Sequence, residues 1–185
     1  AYASMTPLAS WRASMHLAGA YRYEAATVDT KSVYTNNGYA GAFRGFGNTQ
    51  AAAASEIAIG ELAEKIGMDP IEFRLKNCLR TGDVAFTGNV LEHEAGLVQC
   101  LEWARDKSGW TEKRKYLLAD QTADVAKGIG VACYFHGSGL GGEGTDYARI
   151  TLKVERDHSI TLQSGLTDYG QGSRTVFTMV AAETM

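Results

Sequence analysis

Residues 41–50 have the sequence Gly-Ala-Phe-Arg-Gly-Phe-Gly-Asn-Thr-Gln and run directly into a long alanine-rich segment. The apolar side chains of that segment recur at helical spacing up to Gly67, which predicts a helix that begins at the end of the loop. Glycines let a ligand approach the backbone, and a helix N-terminus offers unpaired N–H groups and the positive end of a dipole. This first glycine loop therefore predicts an anion site, to which Arg44 adds a planar charged donor.

A second glycine loop, residues 165–172, has the sequence Gly-Leu-Thr-Asp-Tyr-Gly-Gln-Gly and also leads into a predicted helix. Gln171 offers a neutral donor and acceptor in this loop, and Asp168 is expected to order its own turn. Two loops of this kind favour one phosphate-bearing cofactor held by both. The alternative, that the glycines of either loop only form a tight turn, stays open.

The remaining pattern predicts an α+β chain. Further helices are expected over Pro7–Ala18, from the Asp69-Pro70 start to Gly82, and around Leu97–Ala104. Strands are expected over residues 25–35, over residues 128–135 and in a hairpin that turns at Arg156–Ser159.

The charged segment after Trp110 is typical of a solvated face or a connection between domains. We therefore expect helices packed with mixed or antiparallel strands in two adjoining pieces. The first piece is predicted to span residues 1–118 and the second residues 119–185.

The composition excludes several classes of function. The net charge of -3 provides no basic field for a nucleic-acid or membrane surface, and no apolar run approaches the length of a membrane span. The 3 cysteines form no Cys-x-x-Cys pair, so neither a disulfide framework nor a zinc ribbon is expected, and a reduced cytoplasm is the simplest location. The Gly-x-Gly-x-x-Gly run at residues 137–142 is followed by an alternating strand, which argues against a Rossmann nucleotide site.

The two glycine loops resemble motifs of the xanthine dehydrogenase and aldehyde oxidase family of molybdenum hydroxylases, in its large molybdopterin-binding subunit. The resemblance rests on Gly-Ala-Phe-Arg-Gly-Phe-Gly-x-x-Gln in the first loop and Gly-x-Thr-Asp-Tyr-Gly-Gln-Gly in the second. Two further segments at family spacing also match, Val33-Tyr34-Thr35-Asn36 and Asp69-Pro70-Ile71-Glu72-Phe73-Arg74-Leu75-Lys76-Asn77.

The resemblance implies that molybdenum bound to molybdopterin, in some members as a cytosine dinucleotide, is held between these loops. The implied cofactor-binding residues are Arg44, Gly45, Tyr169, Gly170, Gln171 and Gly172. The implied substrate-binding residues are Phe46, Phe43 and Leu140. The family hydroxylates an electron-poor carbon of an N-heterocycle or aldehyde, and its 2Fe-2S clusters and FAD lie on other domains or subunits, which would be the partners of this chain.

The sequence lacks three family features: the Gly-Gly-x-Phe-Gly-Gly-Lys loop, the Gly-x-Gly-Glu segment that carries the catalytic glutamate, and the iron–sulfur cysteine motifs. No catalytic residue and no protein ligand to a metal are therefore assigned here. We expect an internal fragment of a molybdopterin-binding domain that is inactive by itself. The alternative is a noncatalytic binding or assembly module that uses the same fold without holding the metal.

Overall fold

The computed structural model describes residues 4–119, 124–137, 139 and 145–185. The chain divides into two compact units, Ala1–His136 and Gly137–Met185, and each is described by itself. Within the described ranges, no helix is both long and apolar enough to cross a membrane.

The first unit is built from helices that pack in sequence along the chain. Their bounds are α1 Thr6–His16, α2 Asn48–Lys65, α3 Pro70–Asn77, α4 Leu97–Ser108 and α5 Trp110–Ala119. Helix α1 packs on α2, α2 on α3, α3 on α4, and α4 on α5. The predicted helices at residues 7–18, after the first glycine loop, after Asp69 and around Leu97 are thereby confirmed.

Local sequence explains the start of α3. Asp69 is the N-cap, and its Oδ1 accepts hydrogen bonds from the N–H groups of Ile71 (2.8 Å) and Glu72 (3.2 Å). Pro70 occupies the first helical position, where its missing N–H costs nothing. The helix ends at Asn77, earlier than Gly82, because Cys78 is extended and forms an isolated bridge with Tyr21.

The core of the first unit gathers side chains from distant segments. Its buried members are Tyr21, Ile71, Leu101, Trp110 and Cys133. Trp110, the first residue of α5, donates its indole N–H to the Asp69 Oδ2 (2.9 Å), which links α5 to the cap of α3. The charged segment after Trp110 is thus a helix up to Ala119, and the mostly exposed side chains of residues 111–117 form the solvated face that the sequence predicted.

Two predicted strands do not pair into a sheet within the described ranges of the chain. Residues 25–35 lie mostly exposed, with the Ser32 hydroxyl donating to the Ser10 hydroxyl (2.8 Å). In residues 128–135 the odd-numbered side chains are buried or half-buried and the even-numbered ones exposed, which is the alternation of a strand. Among the residues that the structure describes, this segment is attached to α2 by side-chain hydrogen bonds instead of by a neighbouring strand, which sequence alternation cannot foresee.

The second unit contains the predicted hairpin and helix. Strand β1 (Ile150–Val154) pairs antiparallel with β2 (Ile160–Ser164), in a register that places Leu152 opposite Leu162. His158 takes a positive φ of 66° in the turn, where Glu155 and Ser159 close the loop by a backbone hydrogen bond of 2.8 Å. Helix α6 (Ser173–Thr184) follows the second glycine loop, and its Ala181 and Ala182 line a cavity of about 300 Å³ together with Leu152 and Leu162 of the hairpin.

Candidate cofactor-binding site

The first glycine loop turns sharply just before α2. Gly45, Phe46 and Gly47 are consecutive residues with positive φ, at 89°, 50° and 91°. Glycine adopts this region freely, whereas a bulky aromatic residue rarely does and costs about 1–3 kcal/mol when held there. Such strain persists where the surroundings fix the backbone, and it concentrates at functional sites.

Packing explains why both glycines are required. A Cβ placed on Gly47 would collide with the carbonyl oxygen of Ala9, so the turn rests directly on the backbone of α1. A Cβ on Gly45 would lie 2.8 Å from Cγ2 of Thr49 and 3.6 Å from the hydroxyl of Tyr134. The turn is therefore held between α1, the first residues of α2 and Tyr134.

The same turn leaves the N-terminus of α2 without a capping side chain. Its N-cap is Gly47, and the N–H of Asn48, the first helical residue, donates to the Gly45 carbonyl oxygen within the turn (3.0 Å). This differs from α3, where the Asp69 carboxylate fills that role. Arg44 is exposed beside this end and Phe43 is 81% exposed, whereas Phe46 is half-buried. A helix N-terminus without a capping side chain, the dipole of an 18-residue helix and one guanidinium suit an anionic or electron-rich ligand.

Asn48, the first residue of α2, lies beneath this turn and is 0% exposed. Its Nδ2 donates to the carbonyl oxygen of Phe135 (2.7 Å). Its Oδ1 is buried and, among the described residues, receives no hydrogen bond. A buried acceptor without a donor costs about 1–3 kcal/mol, so a donor supplied by water or by a ligand would be favourable here. This observation fits a site that accommodates a polar group.

A buried polar network that sequence analysis missed lies further along α2. Glu56 is 8% exposed and Arg74 1% exposed, and the Arg74 Nη2 lies 2.8 Å from the Glu56 Oε2. The Tyr21 hydroxyl donates to Glu56 Oε1, and the Cys133 N–H donates to Glu56 Oε2 (2.8 Å). Burial, followed by the hydrogen bond to Glu56, raises the pKa of Tyr21 well above its usual value. The sequence signal available for this network was the occurrence of charged residues within helical stripes that are otherwise apolar.

The second glycine loop is ordered largely by its own side chains. The Asp168 Oδ1 accepts the N–H of Gly170 (2.9 Å), and its Oδ2 accepts the N–H of Arg174 (3.4 Å). Backbone hydrogen bonds to the carboxylate, of which the one from Gly170 has the largest effect, lower the pKa of Asp168. The Gln171 Oε1 accepts the N–H of Tyr169 (2.8 Å), and its Nε2 donates to the Thr167 carbonyl oxygen (2.8 Å). The prediction that Asp168 orders its turn is confirmed, and in this structure both ends of the Gln171 amide bind within the loop.

The predicted site residues thus fall into two groups. Phe43, Arg44, Gly45 and Phe46 lie together in the first glycine loop, and residues 169–172 lie together in the second. The two groups belong to different compact units. Leu140, the third predicted substrate residue, lies outside the described residues.

Comparisons with known proteins agree with this geometry. Two family models, both described as a molybdopterin cofactor-binding domain, match residues 1–78 and 103–185, and these ranges contain both glycine loops. The chain belongs to the molybdopterin-binding domains of the xanthine dehydrogenase and aldehyde oxidase family. Within this family, the chain is 39% identical over 169 residues to the putative xanthine dehydrogenase molybdenum-binding subunit XdhA of Escherichia coli, covering 90% of this chain and 22% of that subunit.

Other members of the family show the same relation. The nicotinate dehydrogenase large molybdopterin subunit of Eubacterium barkeri is 46% identical over 108 residues, covering 58% of this chain and 25% of that subunit. The crystal structure of the aldehyde oxidoreductase from Desulfovibrio desulfuricans superimposes with a TM-score of 0.69 at 31% identity, covering 87% of this chain and 17% of that one. This molybdopterin-binding chain therefore spans about a sixth to a quarter of the lengths of these relatives.

Proposed function

We propose that this chain forms part of the large subunit of a molybdenum hydroxylase and holds its molybdopterin at the first glycine loop. The observation that supports this most directly is the N-terminus of α2, where Gly47 provides no capping side chain and the exposed Arg44 lies in the loop just before it. Membership of a molybdopterin-binding family supplies the ligand that such an end would accept.

In this proposal the residues of the two loops take different roles. Arg44 and the backbone of Gly45 bind the cofactor directly, since Arg44 is exposed and Gly45 is half-buried just before the N-terminus of α2. Residues 169–172 present the second loop to the cofactor, and Gln171 shapes that loop through its bonds to Tyr169 and Thr167. When bound, the molybdenum cofactor supplies the capacity to accept two electrons from the substrate carbon.

The substrate is proposed to lie against Phe46 and Phe43, and Leu140 is proposed from the family resemblance as a third substrate-binding residue. The exposed ring of Phe43 and the constrained ring of Phe46 offer flat apolar surfaces, which suit an N-heterocycle or an aldehyde. Relatives named nicotinate dehydrogenase, aldehyde oxidoreductase and nicotine 6-hydroxylase act on compounds of these classes, which supports this proposal.

The remaining components are proposed from the family. The cytosine dinucleotide form of the cofactor, 2Fe-2S clusters and FAD on other domains or subunits, and a cytoplasmic location belong to this proposal. Two family models that match separate ranges support a division of the chain between two molybdopterin-binding domains, which we place at residues 118 and 119.

The proposal is tested in the full-length protein by measuring molybdenum and pterin per mole of folded protein. Arg44→Ala is expected to lower both severalfold, because a fixed cation at the cofactor is lost. Arg156→Ala, in the turn of the hairpin, is the matched control and should retain the cofactor of the unaltered protein. In Phe46→Ala, the fold increase in the KM for the substrate should exceed the fold decrease in molybdenum and pterin content. Unchanged cofactor in Arg44→Ala, or a native protein without molybdenum or pterin, would favour the noncatalytic module.

A further inference from the structure

We propose that Glu56 is a positioning residue for the Gly45–Gly47 turn and acts on it through residues 133–136. The importance of this turn rests on the proposed cofactor site, whereas the mechanical link does not. The inference depends on a chain of hydrogen bonds that begins inside the core of the first unit and ends at the turn.

The first step is the fixed position of the Glu56 carboxylate. Arg74 donates to it through Nε (2.9 Å), and two further guanidinium nitrogens bind the carbonyl oxygens of Pro70 (3.0 Å) and of Glu56 itself (3.2 Å). Tyr21 donates to the other carboxylate oxygen. The carboxylate is thus tied to α3 and to the segment after α1, and it has little freedom to move.

Residues 133–136 are attached to α2 at two points. The Glu56 Oε2 accepts the Cys133 N–H (2.8 Å), and the Asn48 Nδ2 donates to the Phe135 carbonyl oxygen (2.7 Å). Glu56 and Asn48 lie about two helical turns apart on α2. No strand pairs with residues 133–136 within the described residues, so these side-chain bonds, together with the packing of Cys133 in the core, hold the segment in place.

The third step links this segment to the turn. The Tyr134 hydroxyl lies 3.6 Å from the position of a Cβ on Gly45, and the ring of Tyr134 stacks on His136 with centroids 6.1 Å apart. His136 in turn lies 5.1 Å from the ring of His16 at the end of α1. A displacement of residues 133–136 would therefore remove one wall of the Gly45–Gly47 turn.

The energetics favour positioning over simple stabilisation. A buried ion pair adds little net stability compared with apolar residues of similar size, because both charges lose their hydration. What the ion pair provides is orientation, because a carboxylate accepts several hydrogen bonds at defined angles. Here one of those bonds holds the backbone N–H of a segment that has no sheet partner among the described residues.

The test compares hydrogen exchange of residues 43–49 and 133–136 in the full-length protein. Glu56→Gln keeps the side-chain volume but opposes an amide to Arg74, so exchange in both segments should accelerate about tenfold or more. Tyr21→Phe is the matched control, because it removes a bond to the same carboxylate without breaking either attachment of residues 133–136. Because Tyr21 is only one of the groups that fix the carboxylate, exchange in these segments should accelerate far less than in Glu56→Gln.

A second variant keeps the test decisive if Glu56→Gln does not fold. Asn48→Ala removes only the Phe135 attachment and should also accelerate exchange of residues 133–136 and 43–49. Native exchange in Asn48→Ala and Glu56→Gln would overturn the proposal, as would equal acceleration in Tyr21→Phe, which indicates general destabilisation. If these variants behave as expected while Arg44→Ala keeps its cofactor, the proposed function fails and the positioning role stands.

Discussion

Replacing Gly47 with alanine tests the turn on which the candidate site depends. Gly47 has a φ of 91° and serves as the N-cap of α2. A Cβ at this position would overlap the carbonyl oxygen of Ala9, lie 3.0 Å from its carbon and lie 3.3 Å from the Ala13 Cβ. A side-chain rearrangement cannot make room for the new methyl group, because the Ala9 carbonyl group belongs to the backbone of α1.

The expected loss of stability combines two contributions. The left-handed backbone costs a residue with a Cβ about 1–2 kcal/mol. Overpacking against α1 adds about 1–3 kcal/mol. We therefore expect Gly47→Ala to destabilise the α1–α2 contact by about 2–5 kcal/mol.

Two other glycines provide matched controls. Gly60 lies inside α2 with open space around it and no positive φ, so Gly60→Ala should stabilise by about 0.5–1 kcal/mol. Gly67 also has open space but a φ of 68°, so Gly67→Ala isolates the backbone cost. Hydrogen exchange of α1 and α2 in the full-length protein measures all three. A loss in Gly47→Ala no larger than that in Gly67→Ala would refute the close contact with Ala9.

Two further predictions concern titratable groups of the first unit. Burial, followed by the charge of Glu56, raises the pKa of Cys133 to about 11, and burial also raises that of Cys78, so a thiol reagent at pH 8 should label exposed Cys100 first. Labelling of Cys133 in the folded protein at the same rate as Cys100 would contradict this prediction. Burial lowers the pKa of His16 below its ordinary 6.5, so its contribution to stability is present above pH 6.5 and is lost as the pH falls. His16→Gln should flatten that part of the pH–stability curve, and an unchanged slope would contradict the assignment.

Local patterns predicted the elements whose signals lie in neighbouring residues. Asp69 and Pro70 marked the start of α3 because a cap and a fixed φ act within one helical turn. The hairpin that turns at residues 156–159 was equally local. Helix α5 was missed because its sequence is highly charged, and its place is set by the bond from Trp110 to Asp69, 41 residues away.

The candidate site shows the same division. The glycine loops and Arg44 were visible in the sequence because glycine spacing and charge are local properties. Burial of the Glu56–Arg74 pair and its bond to the Cys133 N–H, 77 residues distant, depend on tertiary packing. The positive φ of Phe46 was likewise hidden, since nothing in an aromatic residue predicts a left-handed backbone.

A structure of the full-length protein purified with its cofactor tests the central claim most directly. We expect the pterin of the cofactor within hydrogen-bond distance of Arg44 or of the N–H groups at the start of α2. A cofactor bound elsewhere in the protein, with the Gly45–Gly47 turn in contact only with protein or solvent, would contradict it.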